Sequence, residues 1–387
     1  MQNMTQSLSI SVPQAAKLLN ISRPMAYALA RREDFPSFQV GNRILARDQC
    51  ISNDTWKTGL NNNDIIIGPP GFGKTRGYVL PNLLQASESL IITDTKGNLC
   101  QQVGPILEKR GYRVYKINLA DCEYSQNGYN PLDFIRVDYG GCFGQDVLTV
   151  AAALVPVEIE HDSFWDHAAR SVLAGIIAYV MEHLPSEEQT IDSVIRLFCE
   201  MGTGKYNNLM KELVEIEPDC FPAVQYRMFS MAQAADKMYA SIQDILAEKL
   251  TPFSFPEAQN LLNHPKKIDI ARIAERRTAI FLHISDTDRS MDRMASLFST
   301  QALQTLCASA DKRKNSHLRT PVRFILDDFA AADACIPDFD RITSVIRSRG
   351  ISVSIILQSL PQLEASYGHE KSMTILNNCD HLLYLGG

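Results

Sequence analysis

Seven short runs of apolar, largely β-branched residues recur after residue 60: Ile65–Ile67, Leu90–Thr93, Arg113–Ile117, Ala279–Ile284, Val322–Leu326, Ile351–Leu357 and His381–Leu385. Each is short enough for a strand, and amphipathic helical stretches separate several of them. Near-continuous apolar runs of this kind predict strands buried on both faces of a mostly parallel sheet, with helices on either side. The rhythm breaks between Asp138 and Lys267. There the spacing is helical, over 145–155, 163–183, 190–201, 205–216 and 232–249, with Pro185, Gly202, Pro218, Pro252 and Pro256 as punctuation. The pattern predicts an all-helical domain (138–268) set into an α/β domain whose two parts are 64–137 and 269–387.

The first fifty residues follow another pattern. Ser11 is placed to cap a helix through Ala15, Ala16, Leu18 and Leu19, and Ser22 to cap a second with Pro24 in its first turn. Alternation around Val40-Gly41-Asn42-Arg43-Ile44 then predicts a hairpin. Two short helices and a hairpin make a winged helix-turn-helix over 1–50, and the polar run 51–63 is a linker. Charge supports a separate module. These fifty residues hold six basic and three acidic side chains, so the remainder carries −9 of a chain whose net charge is −6. The module resembles the excisionase-like, MerR-related DNA-binding domains. That resemblance implies duplex DNA as its partner, with Arg23, Tyr27 and Arg31 on the second helix facing a major groove and Arg43 in the wing on phosphate. A small helical cap with no ligand is the alternative.

Composition narrows the class. With 387 residues, 45% hydrophobic and 21% charged, the chain is globular, and its mild acidity argues against a protein that coats nucleic acid along its length. Nine scattered cysteines with no CxxC pair suggest free thiols in a reducing compartment, neither a disulfide framework nor a zinc ribbon. No stretch reaches the roughly 18–20 apolar residues of a membrane helix. The opening residues carry no export signal, which predicts a cytoplasmic protein.

The chemistry concentrates in three places. Gly68-Pro69-Pro70-Gly71-Phe72-Gly73-Lys74-Thr75 follows one apolar run and opens a helix, the context that GxxxxGK[ST] requires. Its glycines (Gly68, Gly71, Gly73) let backbone N–H groups curl around phosphate oxygens, Lys74 reaches the outer phosphates, and the Thr75 hydroxyl suits Mg²⁺. Val322–Leu326 ends in Asp327-Asp328, as a Walker B strand does, with Asp327 for Mg²⁺ and Asp328 to orient the attacking water. Gln358, at the end of the next apolar run, suits a sensor of the terminal phosphate. Before that run, Arg347 and Arg349 offer a guanidinium that in a ring could reach a neighbour's nucleotide, with surface solvation or a salt bridge as the plain alternative. His161, Asp162, Asp166 and His167 invite a metal reading, but His at i and i+6 do not share a helix face. The basic clusters Lys266-Lys267, Arg272/Arg276/Arg277 and Lys312-Arg313-Lys314 are candidates for a pore lining, or for solvated helix ends.

Six ordered blocks, from GPPGFGKTRGYVLPNLL through LIITDTKGNL, GYNPLDFI, FLHISDTDRSMDRMASLFSTQAL and VRFILDDFA…IPDFDRITSVIRSRGISVSIILQSLPQL to NNCDHLLYLGG, resemble the type IV secretion coupling proteins of the TraG/TraD type. The resemblance implies a RecA-like P-loop NTPase sheet with an inserted all-alpha domain. It implies a DNA-dependent ATPase that uses ATP and Mg²⁺ to move single-stranded DNA, with its attached relaxase, toward a membrane-bound secretion channel. A hexameric ring at the inner face of the membrane is implied as well, with Arg347 as the arginine acting in trans. Asp94 and Lys96 match the family's DPKG block, as a turn or as a nucleotide contact. Three departures stand out: Asp328 where the family has Glu, a helix-turn-helix where it has membrane helices, and a second half that stops just after its last strand. They motivate an alternative, a DNA-binding regulator with a vestigial or switch-like P-loop core. A P-loop small-molecule kinase fits poorly, because no lid or acceptor site is visible.

Overall fold

The computed structural model describes residues 61–138, 141–156, 163–232, 236–329 and 335–385, together with two short strands, Gln39–Val40 and Arg43–Ile44. Those strands pair antiparallel, Gln39 opposite Ile44 and Val40 opposite Arg43, and the turn expected at Gly41-Asn42 lies outside the described residues. The two N-terminal helices, Arg23, Tyr27, Arg31 and the side chain of Arg43 lie outside the described residues, so the DNA contacts expected of them do too.

The chain divides into two compact units, one running up to Lys116 and including Asp269–Thr287 and the residues from Ala302 onward, the other Ile117–Ile268 with Asp288–Gln301. The first contains a seven-stranded sheet: β1 (Asp64–Ile67), β2 (Ser89–Asp94), β3 (Arg113–Asn118), β4 (Thr278–His283), β5 (Val322–Leu326), β6 (Ile351–Leu357) and β7 (His381–Tyr384), in the spatial order β7-β1-β6-β5-β2-β4-β3. The pairings from β7 across to β4 are all parallel. Helices α1 (Leu80–Gln85) and α2 (Leu99–Lys109) belong to this unit. Ile66, Ile92, Ile325 and Ile356 from four strands share one core with Leu83, Leu99, Val103 and Leu107 of those helices.

Chain order does not follow sheet order. The path leaves β1 for β2 across two strand positions that are filled only later, by β5 and β6. All these strands then point their C-terminal ends to one edge, and an open parallel sheet binds its ligands in such a crevice, where strand order reverses.

Near the opposite ends of the strands lies a buried ionic cluster. Arg323, only 1% exposed, pairs with Asp64 at 2.9 Å and Glu88 at 2.7 Å and donates to the Ser354 hydroxyl at 3.1 Å. Asp64 also accepts the Tyr78 hydroxyl at 2.6 Å, and His381 Nδ1 lies 2.8 Å from it. A charge survives in such a place only when opposite charges and hydrogen bonds surround it.

The second unit is helical, with α3 (Gly144–Leu154), α4 (Ser163–His183), α5 (Ile191–Gly202), α6 (Lys205–Ile216), α7 (Phe221–Ala232), α8 (Asp236–Ser254) and α9 (Pro256–Leu262). It begins at Ile117, earlier than the expected Asp138, and includes the start of α10 (Asp292–Asp311). A two-residue hairpin, Val137–Asp138 with Gly141–Cys142, precedes α3 where only helices were expected. The GYNPLDFI block serves packing here. Buried Tyr129 donates to Gln301 Oε1 at 2.5 Å, Gln301 Nε2 donates to the Pro131 carbonyl at 2.9 Å, and the Tyr129 ring meets Phe298 edge-on. Among the described residues no helix is long and apolar enough to cross a membrane.

Candidate functional site: a phosphate loop facing an acidic pair

The loop Gly68–Gly73 leaves the C-terminal end of β1 and turns into a wide helical turn, Thr75–Val79, which runs on into α1. Gly71 and Gly73 have φ of +85° and +79°, and a Cβ at either would touch nothing within 4 Å. The loop is therefore held in a conformation that suits glycine, and it borders open space. Lys74, 9% exposed, bends back so that its ammonium donates to the carbonyls of Gly68 at 2.5 Å and Pro69 at 3.2 Å.

Strand order brings the other motifs to this loop. β6 lies between β1 and β5, so Gln358, just past β6, stands between the loop and the acidic pair that follows β5. Thr75 donates to Asp327 Oδ2 at 3.3 Å, and Gln358 Nε2 donates to Asp328 Oδ1 at 3.4 Å. Asp328 has a left-handed φ of +51°. Aspartate tolerates that region better than most side chains, which gives a local reason for a short acid at this position. Phe329 anchors the turn by packing on Phe339 and Tyr367.

Two further residues complete the site. The Thr93 hydroxyl accepts the Asp327 N–H at 2.6 Å and donates to the Asp327 carbonyl at 3.1 Å, and Thr95 donates to Asp328 Oδ2 at 3.4 Å. Sequence reasoning stopped at their neighbours Asp94 and Lys96. Side chains alternate along a strand, so once Asp94 faces away, Thr93 and Thr95 face the pair. The Asp94 carboxylate accepts the Leu99 N–H at 2.7 Å at the opening of α2, which makes it a turn residue, and Lys96 is exposed.

Arg347 is not brought to this group. It is exposed in a short turn before β6, whereas Gln358 follows β6; a seven-residue strand spans about 20 Å. Arg349 is held by Asp311 through two bonds, at 2.9 and 3.1 Å. Other basic candidates are engaged too: Lys267 with Asp133, Arg272 with Asp269 and Arg313 with Glu275.

Burial first, and then the neighbouring Asp328 carboxylate, push the Asp327 carboxyl from its ordinary 3.8 up to about 6, against the Thr75 hydrogen bond, the Asp328 N–H and the Lys74 charge. An acid raised in the folded state keeps a proton that the unfolded chain has released. The nucleotide-free chain should therefore lose stability as pH rises from about 4 to about 6. The loss is on the order of 3 kcal/mol at most. Asp327→Asn should flatten that part of the slope in urea midpoints measured across the window, and an unchanged slope would place the titration elsewhere.

A parallel sheet with a glycine-rich Lys-Thr loop on one strand, and an acid facing that Thr from a strand two places away, defines a P-loop nucleotide-binding architecture. The chain belongs to the family described as Type IV secretory system Conjugative DNA transfer, which matches residues 28–386. It is 24% identical over 324 residues to Protein VirD4 of Rhizobium radiobacter, covering 83% of this chain and 45% of that protein. The chain spans about half the length of the curated relatives it matches. Its fold is similar to that of the bacterial conjugative coupling protein TrwBdeltaN70 in complex with sulphate (TM-score 0.62, 15% identity, 98% of this chain and 78% of that one). It is also similar to that of plasmid coupling protein TrwB in complex with ADP and Mg²⁺ (TM-score 0.60, 15% identity, 91% and 74%).

Proposed function

We propose that the chain is a coupling-type ATPase that hydrolyses ATP to drive transfer of single-stranded DNA, with its relaxase, toward a type IV secretion channel. The observation that carries this reading is the convergence of Lys74, Thr75, Asp327, Asp328 and Gln358 at one edge of the sheet. The donors fit the ligands. Thr75 and Asp327 offer a hydroxyl and a carboxylate 3.3 Å apart, the hard oxygen ligands that Mg²⁺ prefers. The loop N–H groups and Lys74 fit a polyphosphate. When bound, Mg²⁺ neutralises charge on the phosphates.

The protein's own part is positioning. Lys74 leaves the carbonyls of Gly68 and Pro69 for phosphate oxygens. Asp328, steadied by Thr95 and Gln358, orients water and accepts its proton. Gln358 also accompanies the next helix, because its N–H donates to Gln362 Oε1 at 3.3 Å, so a change at the terminal phosphate has a path into α11 (Leu360–Tyr367). Arg347, exposed at the far end of β6, is suited to a neighbour's nucleotide in a homo-oligomeric ring. The N-terminal module would bind duplex DNA through Arg23, Tyr27, Arg31 and Arg43. Membrane-bound channel components are the further partners, and the chain works at the inner face of the membrane through them.

The test is ATP hydrolysis by the whole chain with and without single-stranded DNA, with Asp328→Asn as the blank. Stimulation by single strands that falls about a hundredfold in the variant is expected. A flat rate equal to that of Asp328→Asn, together with tight duplex binding, would favour the DNA-binding regulator.

A further inference from the structure

A second cluster of ligating side chains lies in the helical unit, away from the phosphate loop in sequence and in chemistry. At the C-terminal end of α4, Glu182 and His183 meet Cys220, the residue before α7, with a carboxylate oxygen, an imidazole nitrogen and the sulfur all within 4.8 Å of one another. We infer that Glu182, His183 and Cys220 form a binding site for a zinc-class divalent ion.

Two independent features support a site over a chance meeting. The first is that His183 Nε2 is closed to solvent and has no hydrogen-bond partner. Buried polar atoms are nearly always satisfied, and an imidazole nitrogen with a free lone pair is what such an ion takes up. The ring is already oriented, because Tyr179, one turn earlier on α4, lies against it with centroids 4.9 Å apart at 31°.

The second feature is the support behind Glu182. Its Oε1 accepts the Cys142 N–H at 2.9 Å, and the Cys142 thiol also bonds to the carboxylate. The backbone permits this closeness at Gly141, whose φ is +109° and where a Cβ would stand 2.6 Å from Glu182 Oε1. Ligands of metal sites are commonly fixed from behind by such outer contacts. Here the hairpin before α3 supplies them.

The donor set selects the ion. One sulfur, one nitrogen and one oxygen suit Zn²⁺ and its neighbours, whereas Mg²⁺ and Ca²⁺ want oxygen alone. Bonds of about 2.0–2.3 Å in a tetrahedron require donors about 3.3–3.8 Å apart, so the ligands close on the ion by side-chain shifts of about an ångström. Binding replaces the S–H bond of Cys220 with a metal–sulfur bond and releases that proton to solvent, while Glu182 and His183 ligate as carboxylate and neutral imidazole. Water takes the fourth position. The ion would tie the end of α4 to the start of α7 and, through Glu182, to the hairpin. Nothing in the spacing of the cysteines pointed here, since the three ligands come from two segments far apart in sequence.

The experiment uses the whole chain, stripped with a chelator and kept free of nucleotide, with Co²⁺ as the probe. Expected are a single equivalent bound per chain, the visible bands of a tetrahedral ion and a thiolate charge-transfer band, all displaced by Zn²⁺. Cys220→Ser and His183→Gln should abolish the bands, and Cys142→Ser should weaken binding by about ten- to a hundredfold. A readout on the unaltered chain removes dependence on how the variants fold. Bound Zn²⁺ should slow alkylation of Cys220 by about tenfold or more, since a ligated thiolate is a poor nucleophile, and leave the exposed Cys199 unchanged in peptide mass spectra. Absence of the bands, their survival in folded Cys220→Ser and His183→Gln, or alkylation of Cys220 that Zn²⁺ does not slow would overturn the inference.

Discussion

Lys74→Ala should abolish tight ATP binding and lower turnover about a thousandfold, the upper range for losing one oriented donor at a developing charge. The reason is where the ammonium sits without nucleotide. It occupies the loop itself, on the carbonyls of Gly68 and Pro69 at 2.5 and 3.2 Å, and has only to exchange those oxygens for phosphate oxygens. Alanine leaves the glycine conformations of the loop intact but removes a cation aimed into it. The two lost bonds are to backbone carbonyls at a solvent-facing loop, so the melting temperature should move by only a few degrees. That separates loss of binding from loss of fold. Equilibrium binding of a fluorescent ATP analogue, with hydrolysis measured beside it, checks the expectation. Wild-type affinity in Lys74→Ala would remove the phosphate loop from the mechanism.

What was legible in the sequence is the part that depends on local order. The seven apolar runs all became strands of one sheet, and for the five inner ones the reason is burial on both faces, which leaves a strand little freedom except to be continuously apolar. The phosphate loop was legible for a similar reason, since its glycines and Lys-Thr are contiguous. Strand order was not. Nothing local states that β6 enters between β1 and β5, and that placement is what puts Gln358 beside Asp328. Thr93 and Thr95 went unread because their role depends on which face of β2 meets β5. The helical spacings of the sequence do not include α7, which follows the punctuation at Pro218 and carries Pro222 in its first turn, where proline is well placed. Pro252, taken as punctuation, lies inside the last turns of α8. Arg323 is the sharpest case. In the sequence it interrupts an apolar strand, and its partners Asp64 and Glu88 stand more than two hundred residues earlier.

Those partners make Arg323→Ala the substitution with the largest expected cost to stability, about 3–5 kcal/mol. A buried ion pair adds little over a well-packed apolar replacement, but deleting one member strands the other, and here a single guanidinium compensates two carboxylates. Burial pushes the Asp64 carboxyl up, yet the His381 contact, the Arg323 charge and the Tyr78 hydroxyl together hold it below its ordinary range. Glu88 has fewer partners, so burial keeps its carboxyl above the ordinary range even against Arg323. Without the arginine both acids should rise and take up protons. The deficit of the variant should therefore shrink as pH falls, the sign expected when folded-state carboxyl pKa values exceed unfolded ones. Urea unfolding at neutral and mildly acidic pH measures this, and a deficit under about 1 kcal/mol at neutral pH would show the pair to be dispensable. Glu88→Gln added to Arg323→Ala should recover part of the loss, because it removes a stranded charge. The cost should also reach the site. Tyr78 donates to Asp64 from the wide turn that begins at Thr75, so loosening the cluster frees the turn that holds the phosphate loop. Nucleotide affinity should then fall in Arg323→Ala even where the chain is still folded, and stay near wild type in the double variant to the extent that Asp64 keeps its hold on Tyr78.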